Sequence, residues 1–250
     1  NPTVALSNPP ADLRANVNIP YTDLREWIAE AEKLGEIRVV KGATWQEEIG
    51  MAAELVQHDE NAPCLVFDEV PGCRKGDRIL TNFFGGKRKN MTLGFPLAYS
   101  KLELSEAFLE NYMRELKPIA HEHVETGPVF ENVLTGDDID ITKLPVPLWH
   151  DVDGGRYIGT GSYNITQDPD EKWINVGTYR VMIHDRNTVG FYMSPGKHGR
   201  IHRDKYEARN QPMPVVVVCG GDPLQFLVAC SEMPYGICEL DIAGGLRGKA

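Results

Sequence analysis

The chain has 250 residues, 42% hydrophobic and 25% charged, an ordinary soluble globular composition with length for one large domain or two modest ones. A formal net charge of −10 argues against a general binder of nucleic acid or anionic membrane, because release of condensed counterions requires clustered Lys and Arg. No apolar run approaches the roughly 18 residues of a membrane span, and no N-terminal basic and apolar pattern marks a secretory signal.

Residues 1–20, rich in Pro and Asn and without periodicity, read as an extended arm. "YTDLREWIAEAEKLGEI" predicts an amphipathic helix with Leu24, Trp27, Ile28, Ala31 and Leu34 on one face, capped by Thr22 or Asp23 and ended by Gly35. "IRVV" (37–40) reads as a short strand, and "TWQEEIGMAAELVQHDE" as a second helix opened by a capping box from Thr44 to Glu47. "CLVFDEV" (64–70) and "RILTNFF" (78–84) read as strands around a "PGCRKGD" turn, and "LSEAFLENYMRELK" (104–117) as another helix. This alternation predicts a small α/β layer domain over residues 21–117.

After Pro118 the texture changes. Short β-rich runs follow, "GTGSYNIT" (159–166), "WINVGTYRVMIHD" (173–185), "NTVGFYMS" (187–194) and "MPVVVVCGG" (213–221), interrupted by a predicted helix, "HGRIHRDKYEARNQ" (198–211). Close strands with one helix predict an antiparallel barrel or split barrel over residues 118–250, so the fold class is α+β. The cysteines (Cys64, Cys73, Cys219, Cys230, Cys238) are odd in number and form no C-x-x-C pair. They predict free thiols, the last three buried, and a cytoplasmic setting. The chain opens on Asn1 and stops at "DIAGGLRGKA" with no closing helix, which reads as a trimmed or partial chain.

Several motifs carry candidate chemistry. "GGKRKN" (85–90) exposes backbone N–H groups beside Lys87, Arg88 and Lys89, but lacks P-loop spacing and an immediate helix. It reads as a solvated turn, with a phosphate cradle as the alternative. "HEH" (121–123) reads as a solvated loop rather than a metal site. His198 and His202 share a helix face at i and i+4, a surface pair or a metal pair, without the Glu of a zinc protease. "CSEMPYGICE" (230–239) follows the apolar "LQFLVA" and places Glu239 at the end of a buried strand, where a carboxylate needs a partner. Asn175, His198 and Glu239 together offer oxygen, nitrogen and carboxylate ligands, a set suited to Mn²⁺ or Mg²⁺ with a bound phosphate. Asn175 and Arg180 lie an odd number of residues apart, so only a twist, bulge or curl lets both reach one ligand.

Taken in order, "LTNFFGGKRKNMTLGF", "LPVPLWHDVDGGRYIGTG", "GTGSYNITQDPD", "INVGTYR", "SPGKH" and "SEMPYGICE" resemble the UbiD family of reversible decarboxylases, from about residue 20 to the end. The resemblance implies that Asn175, His198 and Glu239 hold a divalent metal, Mn²⁺ or Mg²⁺, bridging to the phosphate of prenylated FMN. It implies further that Thr178, Tyr179 and Arg180 line the cofactor. Lys197, Ser231, Glu232, Met233 and Pro234 then touch the cofactor or an accessory K⁺. Arg180 is suited to hold a substrate carboxylate bidentately. The implied reaction is non-oxidative, reversible decarboxylation of an aromatic, heteroaromatic or α,β-unsaturated acid, with the prenylated flavin as electron sink. The implied partners are that acid, CO₂, a flavin prenyltransferase that supplies the cofactor, and further copies of the chain in a homo-oligomer.

One departure accompanies the resemblance. The family's acid–base glutamates lie in a P-A-x-x-E type segment beyond the equivalent of residue 250, followed by a large C-terminal domain. The split barrel is therefore expected to be incomplete at its C-terminus, and "ELDIAGGLRGKA" to lack some of its packing partners. The alternative is a non-catalytic prenyl-flavin module, or a subunit completed by a second polypeptide. Continuation of the reading frame past Ala250 into the acidic motif separates the two. An ordinary FMN split-barrel reductase fits less well, since it needs no Asn/His/Glu metal set.

Overall fold

The first helix forms where its apolar spacing requires. In the computed structural model, which describes residues 17–110, 116–159 and 161–250, α1 spans Leu24–Lys33. Asp23 caps it by accepting from Glu26 N–H at 2.9 Å, and Trp27 and Ala31 are fully buried. Gly35 follows at φ +71°, a left-handed turn that a residue without Cβ adopts at little cost. Strand β1 (Ile37–Lys41) pairs parallel with β2 (Cys64–Asp68), and α2 (Glu48–Gln57) makes the crossover between them. Strand β3 (Ile79–Thr81) adds antiparallel, giving the order β1-β2-β3. Residues 1–16 of the expected arm, 111–115 of the expected 104–117 helix, and Thr160 lie outside the described residues.

Two local features of this half differ from expectation. The Thr44–Glu47 capping box does not form. The turn before α2 is wide, with Ile49 N–H bonded back to Thr44 O, so the Glu48 carboxylate comes round to accept from Thr44 N–H at 2.7 Å. Nor is "GGKRKN" a solvated turn, because α3 (Gly86–Leu93) starts within it. Arg88 is fully buried there, ion-paired with Glu36 and donating to Ala62 O at 2.9 Å and Asn82 O at 3.0 Å. Its charge is consumed inside the fold. Helix α4 (Lys101–Phe108) begins ahead of the expected position, at a capping box between Ser100 and Glu103.

The second half holds two small sheets. Strands β4 (Ser162–Gln167), β5 (Ile174–Gly177) and β8 (Val215–Cys219) form an antiparallel sheet in the order β5-β4-β8. Strands β6 (Arg180–Ile183) and β7 (Val189–Tyr192) pair with each other. "WINVGTYRVMIHD" is thus two strands broken at Thr178–Tyr179, and Asn175 and Arg180 belong to different sheets. Helix α5 (His198–Glu207) packs on β4 and β5.

The C-terminal part departs most from expectation. "LQFLVA" is not a strand but most of α6 (Pro223–Ala229), with Asp222 accepting from Leu224 N–H as cap and Pro223 in the first turn. Glu239 therefore does not end a strand. It opens α7 (Glu239–Arg247), a closing helix where none was expected. The terminal segment finds partners within these 250 residues. Ala243 and Leu246 join Leu93, Phe95, Leu104, Ala107, Leu224 and Val228 in one core cluster. Arg247 donates to Asp222 Oδ2 at 2.5 Å and to Tyr21 O. Gly244 admits close backbone approach, since a Cβ there would stand 2.8 Å from Ile119 O. This cluster joins α3 and α4 to α6 and α7, across the expected boundary at 117–118. All five thiols are free, as expected; Cys238 is buried, but Cys219 and Cys230 are exposed because each stands at the end of an element. The architecture is α+β, built of several small sheets with helices against them.

Candidate functional site

A cavity of about 140 Å³ lies where β5, the start of α5 and the start of α7 meet. Its wall includes Asn175, Thr178 and Tyr179 from β5 and the break after it, Lys197 and His198 from the head of α5, Ser231, Glu232 and Met233 from the turn after α6, and Glu239 from α7. Nine of the eleven residues singled out from the sequence thus face one space. Arg180 and Pro234 do not line it. Arg180 is exposed at the start of β6, and its guanidinium has no hydrogen bond or ion pair among the described residues. The strand break that turns Tyr179 inward carries Arg180 to the outer side. Pro234 is exposed on the turn. A larger groove, about 1510 Å³, is lined by Phe83, Phe84, Tyr163 and Phe226 among others and contains none of the eleven.

Asn175 sits opposite Thr166 in the β4–β5 register. Its amide nitrogen donates to Thr166 Oγ1 at 3.3 Å and Tyr179 Oη at 3.2 Å, which leaves the amide oxygen as an acceptor at the cavity. Tyr179 Oη also accepts from Gly199 N–H at 3.0 Å. Glycine is required at 199, where a Cβ would stand 2.7 Å from that oxygen. Tyr179 therefore works as a strut under Asn175 and the first turn of α5.

Glu239 is 2% exposed, and one carboxylate oxygen accepts from Val176 N–H at 2.8 Å. Burial pushes its carboxyl up to about 7, with the Val176 hydrogen bond opposing. His198 makes no hydrogen bond through its ring among the described residues, and packs edge-on against Trp173 at 5.0 Å and Tyr235 at 5.8 Å. Burial lowers its pKa despite Glu232 nearby, which favours the neutral imidazole. Lys197 and Glu232 face each other at 3.3 Å across the mouth. The wall brings together an amide oxygen, an imidazole and a carboxylate, donor types that could hold a hard cation.

Behind it, His202 points away from the cavity. It is fully buried, with Nδ1 3.0 Å from Thr166 Oγ1 and Nε2 3.8 Å from Asp168 Oδ2. Thr166 Oγ1 accepts from Asn175 and shares a second hydrogen bond with His202 Nδ1. Burial pushes His202 down to about 4. Burial also raises the Asp168 carboxyl, but Lys205 at 2.5 Å and the N–H groups of Glu171 and Asp170 outweigh it and hold it near 2. Thr166, Trp173 and Asp168 escaped the sequence reading. The only signal was register, since Thr166 and Asn175 become neighbours once β4 and β5 pair.

Comparison with known proteins gives this arrangement a family. Residues 122–250 match the model described as "UbiD: 3-octaprenyl-4-hydroxybenzoate carboxy-lyase Rift-related domain". The pyrrole-2-carboxylic acid decarboxylase of Pseudomonas aeruginosa is 32% identical over 246 residues, covering 93% of this chain and 48% of that protein. Among solved structures, the closed form of Sedimentibacter hydroxybenzoicus vanillic acid decarboxylase superposes with a TM-score of 0.82 at 26% identity, over 91% of this chain and 49% of its own. An evolved dimeric form of the UbiD-class enzyme HmfF from Pelotomaculum thermopropionicum, in complex with prFMN, gives 0.76 at 27%, over 92% of this chain and 51% of its own. The chain spans about half the length of the relatives it matches.

Proposed function

The chain belongs to the UbiD family, and from that premise we propose that its cavity is the metal- and phosphate-binding wall of a prenylated-FMN-dependent decarboxylase acting on an aromatic, heteroaromatic or α,β-unsaturated acid. The observation that carries this is the convergence of Asn175, His198 and Glu239, from three elements, on one small space. Their donors fit Mn²⁺ or Mg²⁺: the Asn175 oxygen is left over by its amide's own hydrogen bonds, and Glu239 is a buried carboxylate without a counter-ion among the described residues. Lys197 and the turn of Ser231, Glu232 and Met233 would meet the cofactor's phosphate and an accessory K⁺, with Pro234 shaping that turn. Thr178 and Tyr179 would flank the cofactor. When bound, prenylated FMN supplies an electron sink for the pair left as the C–CO₂ bond breaks. Arg180, unpartnered and two-pronged, would take the substrate carboxylate from the outer side of the strand break.

On this reading residues 21–117 are an α/β unit and residues 118–250 a split-barrel flavin domain that continues in the family. Protonation of the carbon that loses CO₂ falls to a residue outside these 250, because Glu232 and Glu239 belong to the cofactor and metal shell. The setting is cytoplasmic and the assembly a homo-oligomer, with a flavin prenyltransferase supplying the cofactor. No helix among the described residues is long and apolar enough to cross a membrane.

The test is retention. A full-length protein containing these residues is incubated with prenylated FMN and Mn²⁺ and desalted, and metal and flavin are counted. Wild type should keep both in equal amounts, and Asn175→Ala and Glu239→Gln should lose both together while remaining folded. Flavin retained without metal, or unaffected by either substitution, refutes the assignment.

A further inference from the structure

A second group of metal-ligating side chains lies outside that cavity, on the other side of the head of α7. His121, Cys238 and Asp241 place one donor atom each within 4.8 Å of one another, the single such trio of His, Cys, Asp or Glu among the described residues. The donors come from segments 117 residues apart in sequence. Residues 117–121 run alongside α7, with Ile119 N–H bonded to Asp241 O at 2.9 Å and His121 N–H to Asp241 Oδ1 at 2.9 Å. The ring then turns back on the same carboxylate, with His121 Nδ1 2.6 Å from Asp241 Oδ1. Cys238, 6% exposed, is the residue before the first turn of α7.

The geometry points to a zinc-class site formed by His121 Nδ1, Cys238 Sγ and the Asp241 carboxylate, with water in the fourth position. The donor set separates it from the neighbouring wall. Asparagine oxygen, imidazole and carboxylate suit a hard cation, whereas thiolate with imidazole and carboxylate suits the borderline-soft Zn²⁺. Tetrahedral Zn²⁺ sets its ligands roughly 3.5 Å apart, so the His121–Asp241 contact opens by about 1 Å, while all three donors already lie within 4.8 Å of one another. On binding, the His121 ring carries its one proton on Nε2 and leaves Nδ1 to the metal, the Cys238 thiol gives its proton to solvent, and Asp241 Oδ1 keeps the His121 backbone N–H. The His121 and Asp241 side chains are each 27% exposed, which leaves a path for the ion.

Position gives the site its role. Cys238 immediately precedes Glu239, so an ion there ties the extended 117–121 segment to the N-terminus of α7 and fixes the residue on which the cavity's carboxylate hangs. It is a structural clamp.

Co²⁺ substitution followed by Zn²⁺ competition tests this on the full 250-residue chain. Saturating Co²⁺ should give a thiolate-to-cobalt charge-transfer band of one equivalent, discharged by one equivalent of Zn²⁺. Cys219→Ser should retain the band. Cys238→Ser should abolish it, and His121→Gln should weaken Zn²⁺ binding at least tenfold. His121→Gln, at a partly exposed position, carries the test if Cys238→Ser fails to fold. Absence of the band in wild type, or Zn²⁺ binding unchanged in His121→Gln, overturns the proposal and leaves the trio a hydrogen-bonded His–Asp pair beside a buried thiol.

Discussion

His202 makes a quantitative prediction about acid stability. Its folded pKa of about 4 lies below the roughly 6.5 of an unfolded histidine, so between those values the unfolded chain binds a proton that the folded chain refuses. The contribution is fully present above pH 6.5 and is lost as pH falls. At 1.36 kcal/mol per pH unit, about 2 kcal/mol should be gone at pH 5 and about 3 kcal/mol at pH 4. Glu239 acts in the opposite direction. Its carboxyl, raised to about 7, makes the metal-free fold gain stability as pH falls from 7 toward 4.5, and the raw pH profile mixes the two. The assay is therefore a difference: urea unfolding of wild type and His202→Gln in EDTA, from pH 7.5 to 4.5. The variant should be less stable by about 1–2 kcal/mol at pH 7.5, having lost the edge contact with Trp173 and the fit to Thr166. The curves should then converge and cross between about pH 6 and pH 5. Parallel curves would show that His202 is not held neutral by burial, the Asp168 carboxylate offsetting the desolvation.

Arg180→Lys in an active full-length protein should cut turnover at least tenfold while flavin retention stays near wild type, because a point charge replaces the planar fork; loss of flavin in step with turnover would refute the carboxylate role. Glu36→Gln should cost about 3 kcal/mol in urea midpoint experiments, since it strands the buried Arg88 guanidinium, and a change below about 0.5 kcal/mol would refute the pairing. Gly50→Ala should destabilise by more than about 1 kcal/mol although alanine is the better helix former, because its Cβ would stand 2.9 Å from the Trp149 carbonyl carbon; a gain in melting temperature would contradict that packing.

What could be read from the sequence was whatever local periodicity decides. Helix α1 and strands β1, β2 and β4 announce themselves through spacing and turn residues. The misses share one cause, a partner far away in the chain. "KRK" reads as solvated until Glu36, fifty-two residues upstream of Arg88, is folded against it. "LQFLVA" is too short for its period to separate helix from strand, and the Asp222–Pro223 start signal ahead of it was the discriminating feature. Helix α7 carries Gly244 and Gly245, which count against a helix locally and are explained by the backbone of residues 117–119 lying against them. The residues that line the small cavity were legible as a group because their motifs are contiguous and ordered. The outward placement of Arg180 was not, since it depends on a strand break that Tyr179 stabilises through Gly199 on another element.

The same long-range dependence explains how a wall of mismatched polar groups is kept in place. Asn175, His198 and Glu239 are each tied through backbone or neighbour rather than to one another: Asn175 to Thr166 and Tyr179, Glu239 to Val176 N–H, and His198 only by aromatic edges and its place at the head of α5. Each is therefore positioned by packing that survives without a ligand, while its donor atom stays open. Glu239 carries most of the cost, as a buried carboxylate whose pKa has climbed to about 7. If the proposed divalent cation sits at that wall it would restore the charged form, so metal affinity should fall with acidification and metal should raise stability most near neutral pH. Binding and folding are then linked through one carboxylate, and the core cluster beneath α7 supplies the rigidity that holds it at the wall.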